Sequence, residues 1–252
     1  MAGVRIRLRC WLPGPPREAQ ASKVSMNIDV SMVNYYAHRA EEYERIYHRP
    51  ERQDDLRRLR DFVENAFTDT HVFEVACGTG YWTEIIARSA TSVVATDINE
   101  EVLAVARSKD IGTRKVIFRQ ENAYALPVLP RRFTGGFSGF WWSHIPKARI
   151  HSFLRGFHQV LSPGAKVVFL DNVYVAGNST PISRTDEHGD SYQIRRLDDG
   201  SRHEVLKNFP TEPELRAALE GLAKNVRVDF LQYYWLLSYE SQANDGQVGF
   251  SG

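Results

Sequence analysis

Cysteine is scarce in this chain. Two occur among 252 residues, Cys10 near the start and Cys77 inside a glycine-rich stretch. That leaves no basis for a disulfide framework or a cysteine-based metal site, and it predicts a reducing, cytoplasmic setting. Charge of one sign is lacking too. Lys plus Arg number 32 and Asp plus Glu 31, a formal charge of +1. Such a balance gives no overall electrostatic footprint for a nucleic-acid backbone. No apolar run approaches the roughly 20 residues of a membrane helix. The start carries Arg5, Arg7 and Arg9 but no apolar stretch of signal-peptide length. No internal repeat is visible. What is there is 42% hydrophobic, 25% charged and 12% aromatic. That composition builds one good core and fits one decorated α/β domain better than two.

Residues 1–25 differ from the rest. Pro13, Gly14, Pro15 and Pro16 break any regular element, and the expectation is a disordered tail or a start upstream of Met26. A single domain is expected over residues 26–242, with a flexible polar tail over 243–252. Val33 to Phe67 reads as helix interrupted by Pro50, with Leu56, Leu59, Phe62, Val63 and Ala66 at helical spacing. Strands and helices then alternate. Strands are expected over 71–76, 92–96, 116–119, 133–142 and 165–170, with helices over 81–88, 100–108 and 147–161. That rhythm with short connections predicts a parallel sheet covered on both faces. Residues 174–210 are polar and carry a hairpin signal at Asp198-Asp199-Gly200. A helix from Thr211 and one or two strands over 226–239 follow.

The chemistry-bearing stretch is Glu74-Val-Ala76-Cys-Gly78-Thr-Gly80-Tyr-Trp82, a strand, a glycine turn and a helix start. Glycine lets backbone turn tightly and approach a ligand without a Cβ between them. The next strand ends in Asp97-Ile98, 17 residues beyond Gly80. That is close to the spacing at which an acid accepts from ribose hydroxyls. An adenosine-like ligand is therefore expected at the carboxyl ends of these two strands. A dinucleotide fingerprint wants a third glycine, but Thr83 stands there, and no P-loop Gly-Lys-Ser/Thr occurs. The acid at Glu74 would repel a phosphate and suits an ammonium group.

These residues resemble the class I S-adenosylmethionine-dependent methyltransferase family, in its small-molecule branch, well over 33–173 and in outline beyond. Ala76 stands where the family's first glycine is usual, Asn122 where an aspartate is frequent, and Gly136 where an acid is frequent. The resemblance implies a doubly wound, mostly parallel seven-stranded sheet with an N-terminal helical cap and an inserted lid. It implies S-adenosylmethionine bound by Glu74, Ala76, Gly78, Gly80, Trp82, Asp97, Ile98, Asn122 and Ala123. It further implies a cap from Tyr36, Arg39 and Tyr43, although tyrosines seven apart on a helix also pack simply as core.

On the acceptor side, Trp141 and Trp142 should face opposite sides of the fourth strand, and Trp142 is expected to wall the acceptor pocket. His144 is the candidate general base; an ordinary polar loop residue is the plain alternative. Asp171 has a weaker claim. Asp186, His188, Asp190 and His203 match no metal template, so no metal is expected. The aromatic-rich wall suits an apolar or planar small molecule, and neither nucleic acid nor a membrane is expected as partner. The rival readings are a nicotinamide-dependent oxidoreductase and a non-catalytic S-adenosylmethionine-binding partner protein.

Overall fold

The computed structural model describes residue 35 and residues 43–111, 115–127, 129 and 133–242. The expected tails, and the candidate cap residues Tyr36 and Arg39, lie outside the described residues. Ten strands and five α-helices are described. The strands are β1 His71–Val75, β2 Ser92–Asp97, β3 Val116–Gln120, β4 Phe133–Gly139 and β5 Leu161–Asn172, then β6 Ile182–Thr185, β7 Ser191–Arg196, β8 Arg202–Leu206, β9 Ala223–Phe230 and β10 Tyr234–Ser241. The helices are α1 Gln53–Ala66, α2 Tyr81–Ser89, α3 Glu100–Ser108, α4 Ile150–Gln159 and α5 Glu212–Ala218.

Seven strands form one sheet in the order β3-β2-β1-β4-β5-β10-β9, and β6-β7-β8 form a second. β1 to β5 run parallel, and β10 lies antiparallel between β5 and β9. Strand order reverses between β1 and β4. In open α/β sheets that switch point opens the crevice where ligands bind.

Helices cover both faces because their apolar residues recur at helical spacing. α1 buries Leu56, Leu59, Val63 and Ala66, and joins Ile85, Ile86 and Leu103 of α2 and α3 in one core. On the other face Phe153, Leu154 and Phe157 of α4 meet Leu215 and Leu219 from α5 and the loop after it. α5 opens at the expected Thr211, with a capping box of Thr211 and Glu214.

The glycines of β4 explain how these layers approach. A Cβ at Gly135 would stand 2.9 Å from Phe67, one at Gly136 2.8 Å from Leu161, and one at Gly139 3.0 Å from Trp82. The strand is therefore sustained by its neighbours' bulk.

Several expectations are corrected. Tyr43–His48 is a short 3-10 helix, which ends where Pro50 holds Arg49 in extended backbone (φ −66°, ψ 121°). β4 ends at Gly139, three residues before Trp142. Phe140 takes φ 60° and turns its ring among Tyr47, Trp82 and Tyr234 at 5.6 to 6.3 Å. The helix before β5 begins as a 3-10 turn, Lys147–Arg149, and its α-helical part stops at Gln159. Ser162-Pro163-Gly164 is an irregularity inside β5, with a register shift opposite Phe133 and Gly135.

Candidate active site

The crevice is built on the loop between β1 and α2. Ala76, Gly78 and Gly80 all take positive φ, 54°, 54° and 79°. Gly78 faces open space, since a Cβ there would meet nothing within 4 Å. Its backbone N–H donates to Asp97 Oδ2 at 2.9 Å, and the N–H of Asn99 donates to Asp97 Oδ1 at 2.9 Å. Burial raises the Asp97 carboxyl above its ordinary range, against the pull of these backbone donors.

Glu74 lies beneath the loop, 1% exposed. Its Oε2 accepts from the Thr83 hydroxyl at 2.7 Å, which ties β1 to α2. Burial pushes its pKa up to about 8, with Asp97 adding to the rise and the Thr83 bond opposing it. Burial and both carboxylates push the Cys77 thiol well above its usual value, so it is no nucleophile. Over the loop, Glu44 accepts from the Thr79 hydroxyl at 2.7 Å and from Lys109.

At the carboxyl ends of β4 and β5 lies a cavity of about 100 Å³, several times the ~10–15 Å³ that one water needs. Its described lining includes Arg49, Arg52, Arg195 and Lys207, with the amides Asn172 and Gln193. Lys207 is buried and donates to Asp171 at 2.8 Å and to the Ser143 hydroxyl at 2.6 Å. Burial works to raise Asp171, but Lys207 and the bonded N–H of Ser143 outweigh it and hold this carboxyl below its ordinary range. His144 also lines the cavity. Its Nδ1 lies 2.6 Å from the Leu206 carbonyl, which can only accept, so Nδ1 carries the proton. Burial first, then Lys207, lowers His144 to about 3.

A profile of the family described as "Methyltransferase domain" matches residues 72–164. Two solved structures resemble nearly the whole fold. One is a DhpI–SAH complex, with TM-score 0.68 and 26% identity over 86% of this chain and 98% of that one. The other is a DhpI–SAM–HEP complex, with TM-score 0.66 and 25% identity over 84% and 97%. Demethylmenaquinone methyltransferase of Lactiplantibacillus plantarum is 31% identical over 111 residues, 41% of this chain and 46% of that protein. The chain thus spans about half the length of this curated relative. Residues 72–164 thus match a methyltransferase domain, and the fold around them is similar to that of structures solved with SAM and SAH.

The residues of the loop between β1 and α2 fit S-adenosylmethionine, the ligand of a similar structure. Gly78 leaves an open cradle, and the carboxylates of Glu74 and Asp97 are reached only by uncharged donors among the described residues. Such a set favours a cationic ligand over a pyrophosphate. Ala76, Gly78, Gly80, Asp97 and the exposed Ile98 are brought together here. Asn122 Oδ1 accepts from the N–H of Tyr124 at 2.9 Å, a local turn bond, and Ala123 packs against the core of the α4 face. Trp82 is core: it is buried and fills the space that Gly139 leaves. Tyr43 opens the 3-10 helix.

Trp142 is a correction. Because β4 ends early, Trp142 falls in a 3-10 turn, 1% exposed, with its ring 5.1 Å from Phe169 and 5.9 Å from Trp235. It is core and does not wall the cavity. His144 is at the cavity, but neutral and with a pKa about 3 it is a poor proton acceptor near neutral pH. The expected aromatic wall is also absent from the described lining, which is mostly polar and basic apart from Ile46, Phe140 and Phe209. Asp186, His188 and Asp190 form a turn closed on Asp186, and His203 bonds Ser201. No metal-holding group of such residues occurs among the described residues.

Sequence reading missed Arg49, Arg52, Arg195 and Lys207. Their positions carry no shared spacing, since two precede β1 and two lie on the β6–β8 insertion or just after it. Topology alone unites them.

Proposed function

We propose that this chain transfers a methyl group from S-adenosylmethionine to a small-molecule acceptor. The observation that carries the reading is the open glycine cradle at Gly78, locked to Asp97 at the ends of β1 and β2. When bound, S-adenosylmethionine supplies an electrophilic methyl on a sulfonium whose sulfur leaves as a neutral thioether. The protein's part is to orient the partners and exclude water. Asp97 and the loop backbone hold the adenosine end. Glu74 lies under the loop, where a raised carboxyl pKa lets it answer an ammonium group by ionising. The insertion 174–210 shapes the acceptor pocket, because Asn178, Thr180, Gln193, Arg195 and Lys207 all line it. His144 positions the insertion through the Leu206 carbonyl.

No described helix is long and apolar enough to cross a membrane. We place the protein in a reducing cytoplasm on the strength of its free, buried Cys77.

Calorimetric titration with S-adenosylmethionine, S-adenosylhomocysteine and NADH tests the cofactor. The first two should bind wild type and fail with Asp97→Ala. Binding of NADH alone would overturn the reading and favour an oxidoreductase. Formation of S-adenosylhomocysteine with a panel of small acceptors tests turnover, and its absence with every acceptor would favour a non-catalytic binding protein.

A further inference from the structure

The cavity carries a charge that methyl transfer by itself does not require. Its described lining includes four cationic side chains, Arg49, Arg52, Arg195 and Lys207, and no acidic one. Among the described residues three carboxylates lie close by: Asp171 behind Lys207, exposed Glu51 at the outer edge, where Asn178 donates to it at 3.2 Å, and Asp55, which accepts from the N–H of Tyr233 beside Arg52. The described lining itself is positive.

Arg52 shows what the charge is arranged for. Its terminal nitrogen donates to Asn178 Oδ1 at 2.5 Å, and its guanidinium lies 5.2 Å and 5.6 Å from the ring centroids of Tyr233 and Tyr234. Among the described residues, those contacts fix the fork without a hydrogen-bonded carboxylate. Its Nε is buried and has no hydrogen-bond partner among the described residues. A buried donor left unpaired is costly and asks for an acceptor. Arg195 donates to Thr180 Oγ1 at 2.9 Å and to Gln193 Oε1 at 2.6 Å. Rigid forks of this kind match the paired oxygens of carboxylates and phosphates.

Resting on the methyltransferase reading, we propose that the methyl acceptor is a compact oxyanion, a carboxylate or a phosphorus oxyacid, seated among Arg52, Arg195 and Lys207. Among the described residues of the cavity, His144 is a weak base, lowered to about 3 by burial, and Asp171 is committed to Lys207. An acceptor that arrives ionised suits such a site. Desolvated inside the cavity, its charge meets cations that are already oriented, so little reorganisation opposes binding. An apolar acceptor would instead leave the buried Nε of Arg52 without an acceptor.

The test is calorimetric titration of wild type, saturated with S-adenosylhomocysteine, at low ionic strength. Inorganic phosphate, methylphosphonate and acetate are the probes, with trimethyl phosphate as an uncharged control. At least one oxyanion should occupy a single site, and its affinity should fall as salt rises. Arg52→Gln and Arg195→Gln should each weaken it roughly tenfold or more, while S-adenosylhomocysteine affinity stays within about twofold. Arg52→Lys should recover part of the loss. Preference for phosphate and methylphosphonate assigns a phosphorus oxyacid; preference for acetate assigns a carboxylate. Circular dichroism checks each variant's fold, and Arg195→Gln serves if Arg52→Gln fails to fold. No oxyanion binding with the homocysteine product bound would overturn this proposal alone. Equal binding of trimethyl phosphate, or undiminished binding by both glutamine variants, would do the same. Failure of S-adenosylhomocysteine to bind wild type would overturn both readings.

Discussion

The backbone N–H of Gly78 donates to Oδ2 of Asp97 across 2.9 Å. The glycine loop and the acid of the second strand are thus one unit in the protein by itself. Asp97→Ala should therefore lower stability as well as cofactor affinity. It orphans the N–H groups of Gly78 and Asn99, at about 1–3 kcal/mol for each that stays buried. Thermal denaturation without cofactor checks this. An unchanged midpoint would mean that Asp97 serves the ligand alone.

Glu74 should make stability fall as pH rises. Its folded pKa is about 8, against an ordinary 4.5. Between those values the folded protein keeps a proton that the unfolded chain releases, so stability is fully present below about 4.5 and declines up to about 8. Glu74→Gln keeps an acceptor for the Thr83 hydroxyl and should flatten that decline in urea denaturation at several pH values. If an ammonium group docks near Glu74, cofactor binding at pH 7 should also release protons. Calorimetry in buffers of different ionisation enthalpy reads that release, and equal heats would speak against the contact.

The buried histidines act in the opposite direction. His144 is lowered to about 3 and His158 to about 4, both mainly by burial. Unfolded histidine takes up its proton near 6.5, so acid favours the unfolded chain, and stability is lost as pH falls from about 6.5 toward 4. His158→Gln should reduce that acid slope, measured by denaturant melts from pH 4 to 7. In the rate profile, His144 should contribute no limb near pH 6.5. Such a limb in wild type that vanishes in His144→Asn would restore His144 as a base.

Lys207→Met should cost about 3–5 kcal/mol, because it strands the Asp171 carboxylate in the interior. The double variant Lys207→Met with Asp171→Asn should regain a large part of that loss. Chemical denaturation of the singles and the double settles it. Additive losses would mean that the pair is not coupled.

The parallel core was legible because period and punctuation agreed. β1, β2, β3, α2 and α3 stand within a residue or two of their expected bounds. Contacts distant in sequence decided what was not legible. Nothing local announces that Phe140 adopts a left-handed turn; an aromatic cluster drawn from α2, β10 and the Tyr43–His48 turn holds it there. That one residue removed Trp142 from the strand and buried it. Ala76 is the converse case: sequence marked a missing glycine, and the structure shows φ 54° there, a strained conformation for a residue with a Cβ. The meeting of Asp97 with the glycine loop was readable from motif spacing, while the arginines that line the cavity were not, because they come from distant segments.

The seam between β5 and β9 is filled by β10, which comes last in chain order of the sheet's strands. A ribosome therefore delivers β1 to β5 long before the strand that covers the outer edge of β5. Val167, Phe169 and Leu170 sit on that waiting edge, and all are buried once β10 docks. During synthesis the nascent chain presents an apolar, unpaired strand border. A chain stopped before Tyr234 would keep the glycine cradle in sequence yet carry that border permanently, a state suited to chaperone capture or self-association.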